Sequence, residues 1–140
     1  MTPTAPSEWE GRSAPTLDDL ERLGIVALDG LPAEFRALAA DAQIRVDEFP
    51  DEEALRELGL ESEFDLLGLF QGQGMAQAGA TPATGTMPNM IWLYRRPILD
   101  YWAEHDDSLG AIVSHVLIHE IGHHFGLSDE DMEAIEASVS

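Results

Sequence analysis

The chain has 140 residues, no cysteine and no lysine, and its 7 arginines are outnumbered by 27 acidic residues, so its formal net charge is −20. This length indicates one domain. Disulfides and thiolate metal sites are excluded, so a metal would need histidine, aspartate or glutamate ligands. The acidity argues against nucleic acid and anionic membrane surfaces as partners. It fits either a preference for basic substrates or simply a soluble acidic surface.

The first 15 residues are rich in proline, serine, threonine and alanine and show no apolar periodicity, which predicts a disordered tail at residues 1–15. They lack the basic and apolar regions of a secretory signal, and no stretch approaches the ~20 apolar residues of a membrane span. We therefore expect a cytoplasmic protein whose residues 16–140 form a single domain. A mature form that has lost a signal is the alternative.

The first elements are predicted from capping residues and periodicity. Apolar residues at helical spacing predict a helix from the N-cap Thr16 to a stop at Gly30, and Pro32 suits the first turn of the next helix. Ile44 and Val46 alternate with polar neighbours, as in a half-buried strand.

The middle of the chain alternates between helix and strand patterns. "DEEALRELGL" is typical of a short helix that ends at Gly59, and "FDLLGLFQG" of a second strand. Residues 72–88 have no periodicity and are predicted to be a long loop. "NMIWLYRR" is a third predicted strand, and Pro97 is predicted to begin a helix that runs to about His105 with Leu99 and Trp102 buried.

A long apolar helix is predicted near the end of the chain. Asp107 or Ser108 caps it, it runs to Phe125, and Gly126 stops it; "SDEDMEAIEA" follows as a short terminal helix. Its inward stripe consists of Ile112, Val116, Leu117 and Ile121. Together the elements predict an α+β fold, with a small mixed sheet of three or four strands packed by helices.

The predicted long helix carries a compact group of histidines. His119 and His123 are four residues apart and therefore lie on one face, about 6 Å apart at Cβ. That spacing lets two imidazoles reach one ion at ~2.0–2.1 Å. Glu120 is next to the first ligand and can reach a water on the metal. "HEIGH" thus matches the H-E-x-x-H pattern, in which the glutamate is a general base.

A third ligand must come from chain that turns back toward the metal, because hydrolytic Zn²⁺ sites have three protein ligands and an open position. Gly126 can adopt a positive φ and end the helix sharply. Asp129 follows three residues later, where its carboxylate could complete the site. The alternative for Asp129 is the N-cap of the final helix, although Ser128 could serve instead.

"HEIGHHFGLSD" resembles the H-E-x-x-H-x-x-G-x-x-H/D signature of metzincin-like zinc peptidases, in the version with aspartate as third ligand. With "TLDDLERLG", "LPAEFRALA" and "WLYRRPIL", the chain is similar to the small bacterial metallopeptidases called minimal zincins, over about residues 16–137. The resemblance implies a zincin-like fold, Zn²⁺ bound by His119, His123 and Asp129, and Glu120 as base. The Met-containing turn of metzincins has no counterpart, since Met132 is only one helical turn after Asp129.

The remaining histidines have less specific interpretations. His115 precedes His119 by one turn and could line the cleft or hold a neighbouring group, although a structural role is favoured. His124 lies off the ligand face and is expected at the surface or behind the ligands, and His105 at the surface.

The segment between the third strand and the next helix offers candidates for oxyanion stabilisation. Tyr94, Tyr101 or a neighbouring arginine could have this role, and the strand could pair with an extended substrate. The alternative is that Trp92 and Tyr94 belong to the core and that Arg95 and Arg96 neutralise acidic neighbours.

The sequence thus predicts a monomeric zinc-dependent peptidase that acts on a peptide or protein substrate, because its H-E-x-x-H motif is intact. One alternative is a non-catalytic module for interaction or regulation that retains a metal on a zincin scaffold. Another is a metal-dependent hydrolase of substrates other than peptides.

Overall fold

A computed structural model describes residues 9–72 and 89–139 of the chain. Parts of the predicted tail and loop, residues 1–8 and 73–88, lie outside the described residues. The helices are α1 (Leu17–Asp29), α2 (Ala33–Leu38), α3 (Glu52–Leu58), α4 (Arg95–Glu104), α5 (Leu109–His124) and α6 (Asp129–Val139). The strands are β1 (Gln43–Asp47), β2 (Gly68–Gln71) and β3 (Met90–Tyr94).

The three strands form one mixed sheet in the order β1-β3-β2. β3 is parallel to β1 and antiparallel to β2, so that Ile91 is opposite Ile44 on one side and Phe70 on the other. The predicted α+β fold is confirmed. Because both edges of β3 are occupied, the prediction that this strand pairs with substrate is wrong. In the described part of the chain, β2 pairs with β3 alone.

Helix α1 packs against the sheet through a close approach at Gly24. A Cβ atom there would lie 2.9 Å from Leu93 Cδ1 and 3.0 Å from Ile44 Cγ2, so a larger residue would displace the helix. The predicted start of α1 is confirmed, since Thr16 and Asp19 form a reciprocal capping box.

Two elements differ from their predicted bounds. Strand β2 is shorter than "FDLLGLFQG", because the Ser62 hydroxyl accepts a hydrogen bond from Phe64 N at 3.1 Å and caps a single 3-10 turn, Glu63–Asp65. Helix α4 begins directly after β3, two residues before Pro97. Pro97 is therefore in the first turn, where its missing N–H removes no helical hydrogen bond. The buried residues of α4 are Pro97 and Ile98, and the prediction that Leu99 and Trp102 are buried is wrong, since both are half-buried.

Helix α5 is the centre of the core and packs against α1, β2 and α6. Its N-cap is Ser108, whose hydroxyl accepts from Ala111 N at 3.1 Å. At the other end Gly126 has φ +76, and Leu127 N donates to Gly122 O at 2.8 Å. This is the hydrogen-bond pattern of a helix terminated by a left-handed residue. The predicted stop at Gly126 is confirmed, and the turn directs the chain back along α5.

Helix α6 returns along α5 and contacts it where Met132 meets Gly122. Met132 is fully buried, and a Cβ atom on Gly122 would lie 2.7 Å from Met132 Cγ. Glycine at this position therefore allows the two helices to approach closely. The contact fixes the side of α6 that faces α5, including Glu136, which is one turn after Met132.

No helix in residues 9–72 and 89–139 combines the length and the apolar character that crossing a lipid bilayer requires.

Candidate metal centre

Glu120 lies between α5 and the edge strand β2. Phe70 N donates to Glu120 Oε1 at 3.3 Å. Gly68 makes this contact possible, because a Cβ atom there would lie 2.5 Å from Val116 Cγ1 and 2.8 Å from Trp92 O. A side chain at residue 68 would push β2 away from α5. The strand therefore holds one oxygen of Glu120 in a fixed position.

Burial is the main influence on the acidity of Glu120. It raises the pKa of the carboxyl group to about 7, while the hydrogen bond from Phe70 N opposes the shift. A carboxyl group with a pKa near neutrality can both accept and release a proton at physiological pH, as general acid–base chemistry requires.

This shift has a consequence for the stability of the metal-free protein. The folded pKa of Glu120 exceeds the unfolded value of 4.5, so the fold loses stability as the pH rises from about 4.5 through 7. Glu120→Gln removes the ionisation and keeps an acceptor for Phe70 N. We expect the metal-free variant to match the wild type at pH 4.5 and to be more stable at pH 8, by on the order of 2 kcal/mol. Urea unfolding of both proteins, with chelator, measures the difference; a difference that does not change with pH contradicts the expectation.

The structure brings together His115, His119 and Glu136, whose ligand atoms all lie within 4.8 Å of one another. Glu136 Oε1 is 2.5 Å from His115 Nδ1 and 2.9 Å from His119 Nε2. The two imidazole rings lie side by side on successive turns of α5, with centroids 4.1 Å apart. Glu136 reaches them from α6.

His123 and Asp129 lie apart from this group. The ring centroid of His123 is 5.6 Å from that of His119, and the side chains of His123 and Asp129 are exposed. Ser128 caps α6 by accepting from Asp131 N at 3.1 Å, so Asp129 does not serve as that cap. The assignment of His119, His123 and Asp129 as zinc ligands stays a prediction.

The donor atoms fit a divalent transition metal. Imidazole nitrogens and carboxylate oxygens are the ligands of zinc in cysteine-free sites. Glu136 Oε1 is buried and accepts no hydrogen bond from the described residues, although two ring nitrogens are within 3 Å of it. Buried polar atoms normally have a hydrogen-bonding partner. A buried oxygen that lies between two histidines without accepting a hydrogen bond is therefore consistent with the position of a cation.

His115, His119 and Glu120 open onto one groove of about 480 Å³ between α5, α4 and the segment that leads into β2, and His123 and Asp129 are not part of its lining. His115, His119, Glu120 and Glu136 form one wall, and Tyr101 and Gly68 are also part of the lining. A groove of this size is adequate for a short stretch of extended peptide.

The other histidines have structural environments. His124 stacks on Phe70 with ring centroids 4.1 Å apart, and burial lowers its pKa. It therefore supports β2 through this ring contact. His105 is exposed, and its Nδ1 lies 2.7 Å from Tyr101 O. The structure therefore places His124, half-buried, against Phe70 and His105 on the surface.

The candidates for oxyanion stabilisation also have different environments. Tyr94 is buried, and burial together with nearby acidic residues raises its pKa to about 12. Arg95 contacts Glu48 at 3.0 Å, and Arg96 lies over the Phe49 ring at 5.5 Å. Tyr94 and Arg95 fit the structural alternative, whereas Arg96 packs on an aromatic ring. Tyr101 is the member of the group that lines the groove.

Glu136 is the site residue that sequence reasoning missed. It is seven residues after Asp129 and four after Met132, a spacing that places all three on one side of a helix. This spacing could have indicated that Glu136 faces α5, but only with the knowledge that α6 returns along α5.

A family model described as zincin-like metallopeptidase matches residues 39–139. The chain belongs to this family. The match runs from the end of α2 through α6 and thus contains the sheet, the histidine helix and the returning helix; α1 precedes it. Among curated proteins, none matches the chain. Membership confirms the resemblance to minimal zincins and the zincin-like fold, and it implies a metallopeptidase scaffold that binds zinc.

Proposed function

We propose that this protein is a zinc-dependent metallopeptidase that hydrolyses peptide bonds with Glu120 as general base. The observation that carries the proposal is the environment of Glu120. Its carboxyl group follows His119 in the chain, faces the groove, and has a pKa raised to about 7 by burial. That combination is expected for an acid–base group and uncommon for a surface glutamate.

The proposed zinc ligands are His119 and His123, on successive turns of α5, with Asp129 after the turn at Gly126. Asp129 lies at the start of α6 with Ser128 as the cap, which leaves its carboxylate available for a metal. A bound zinc ion would supply Lewis acidity, making water more acidic and polarising the substrate carbonyl.

Glu120 then moves the proton. Phe70 N holds Oε1, so Oε2 is the oxygen that can accept a proton from the attacking water. The same carboxyl group returns the proton to the nitrogen of the departing amine, which makes Glu120 base in the first step and acid in the second. Tyr101, in the groove wall, is the candidate for hydrogen bonding to the carbonyl oxygen.

The edge strand β2 is the proposed support for the substrate. It borders the groove and pairs with β3 alone among the described strands, so an extended peptide could add to its other edge. Asp65 and Asp107 also line the groove and favour a basic side chain in the peptide. A cytoplasmic monomer remains the expectation from the sequence.

A second candidate function is a metal-binding module without catalysis. The contacts of Glu136 with His115 and His119 favour it, because they occupy a ligand of the proposed catalytic site. The raised pKa of Glu120 favours the peptidase, because a module that only binds metal does not require a proton-transfer group.

A peptide-library digest tests the proposal. The protein is stripped of metal, reloaded with one equivalent of zinc and incubated with a library that contains basic residues. We expect new amino termini that depend on zinc and disappear with chelator. Zinc-loaded protein that cleaves no library peptide, and that instead retains peptides or proteins, would support the binding module.

A further inference from the structure

We propose that His115, His119 and Glu136 form a second position for a divalent transition metal, which competes with the proposed catalytic position for His119. The second position lies one helical turn toward the N-terminus of α5, between α5 and α6. Its existence depends on the geometry of these three residues alone. The consequence for activity rests on the proposed function.

The atoms are close to ligand geometry. Zinc bound at ~2.0–2.2 Å by tetrahedral ligands places the ligand atoms roughly 3.3 Å apart. Glu136 Oε1 is 2.5 Å from His115 Nδ1 and 2.9 Å from His119 Nε2. The oxygen therefore has to retreat by less than about 1 Å for an ion to enter. The glutamate side chain can do so by rotation about its own bonds, since the residue is half-buried and lines the groove.

The environment of the three atoms also favours a cation. Glu136 Oε1 is buried and accepts no hydrogen bond within the described residues. His119 and Glu136 are half-buried, whereas His115 is exposed. All three line the groove, so an ion has both an entry path and room for water as a further ligand.

The two positions exclude each other because they share His119. A neutral imidazole has one nitrogen lone pair for a metal, and its other nitrogen carries hydrogen. His119 Nε2 points to Glu136 in this structure. Only one ion per chain can therefore use His119, and wild-type protein should bind one zinc and not two.

This exclusion differs from inhibition by excess metal. Both states contain one ion per chain, so more zinc does not change their ratio once the chain is saturated. The ratio depends on the relative affinities of the two ligand sets. Weakening the second set should shift the ion toward His123 and Asp129.

Metal binding by variants tests the second position directly. In His123→Ala/Asp129→Ala protein, competition between Zn²⁺ and a chromophoric chelator should still show one zinc per chain. Adding Glu136→Gln to this double variant should weaken binding by about 100-fold or more, and adding His115→Ala should do the same. Glu133→Gln, an exposed glutamate on the same helix, is the matched control and should leave the affinity unchanged.

Two binding results would overturn the proposal. One is a double variant that is folded by circular dichroism yet binds no zinc. The other is equal affinity with Glu136→Gln and Glu133→Gln. His115→Ala provides a second route to the answer, because this exposed residue can be replaced even if changes at Glu136 disturb the packing of α6.

Activity gives a separate readout in the otherwise native chain. If the two positions are equally occupied, Glu136→Gln should raise kcat about two-fold at one zinc per chain. An unchanged kcat would contradict the proposed competition, because it would mean that all of the zinc is already at the catalytic position in the wild type. If no peptidase activity exists, the proposed function fails, and the chelator titration still decides whether the second position exists.

Discussion

Replacing Glu120 by glutamine is expected to reduce peptide hydrolysis by at least about 100-fold while leaving one zinc per chain. Glutamine has nearly the same shape and keeps an oxygen for the hydrogen bond from Phe70 N, now 3.3 Å from Glu120 Oε1. It cannot take a proton from water. The loss should therefore be in kcat, with little change in KM, because the groove and the metal ligands remain.

The measurement is a steady-state assay on a peptide found in the library digest, with elemental analysis of the same preparations. Glu104→Gln, which alters an exposed carboxylate at the end of α4, should have wild-type kcat and zinc content. Full activity in Glu120→Gln would exclude this residue as the base. Loss of zinc along with activity would make the variant uninformative about proton transfer and assign Glu120 a role in metal retention.

The histidine helix could be predicted because its determinants are local. The cap at Ser108 and the left-handed Gly126 are both read from a few neighbouring residues, and helical spacing alone places His119 and His123 on adjoining turns. The α+β class likewise followed from alternating segments, each of which has its own periodicity. These features need no knowledge of which elements meet in space.

The parts that could not be predicted depend on long-range packing. β3 is central because β1 and β2 take opposite edges, and no local pattern in "NMIWLYRR" distinguishes a central strand from an edge strand. Gly68 matters because β2 contacts α5, and Glu136 because α6 returns along α5. Each of these contacts joins residues that are at least 17 positions apart in the sequence. The shortest of these separations is the one between His119 and Glu136.

His119→Ala is expected to weaken zinc binding severely, whichever ligands complete the site. His119 is the first histidine of H-E-x-x-H and also lies 2.9 Å from Glu136 Oε1 through Nε2, so it belongs to both metal positions. Removing a direct ligand should weaken binding by more than the 10- to 100-fold that loss of an outer partner costs, or about 1,000-fold. His123→Ala, in contrast, leaves the His115–Glu136 set intact and should keep part of the affinity.

Thermal unfolding with and without Zn²⁺ measures this difference without any assay of activity. An ion that binds only the folded state stabilises it by RT ln(1 + [Zn]/Kd), about 4 kcal/mol at 1,000 times the Kd, so the wild-type Tm should rise on adding zinc. His119→Ala, with a Kd about 1,000-fold higher, should gain only about 0.4 kcal/mol at the same zinc concentration and show a correspondingly small rise. His105→Ala removes an exposed histidine that contacts Tyr101 through the carbonyl oxygen and the ring, and it controls for weak surface binding; its rise should equal that of the wild type. A wild-type rise in His119→Ala would mean that the metal is held by residues other than those on the α5 face, and both metal positions would have to be abandoned.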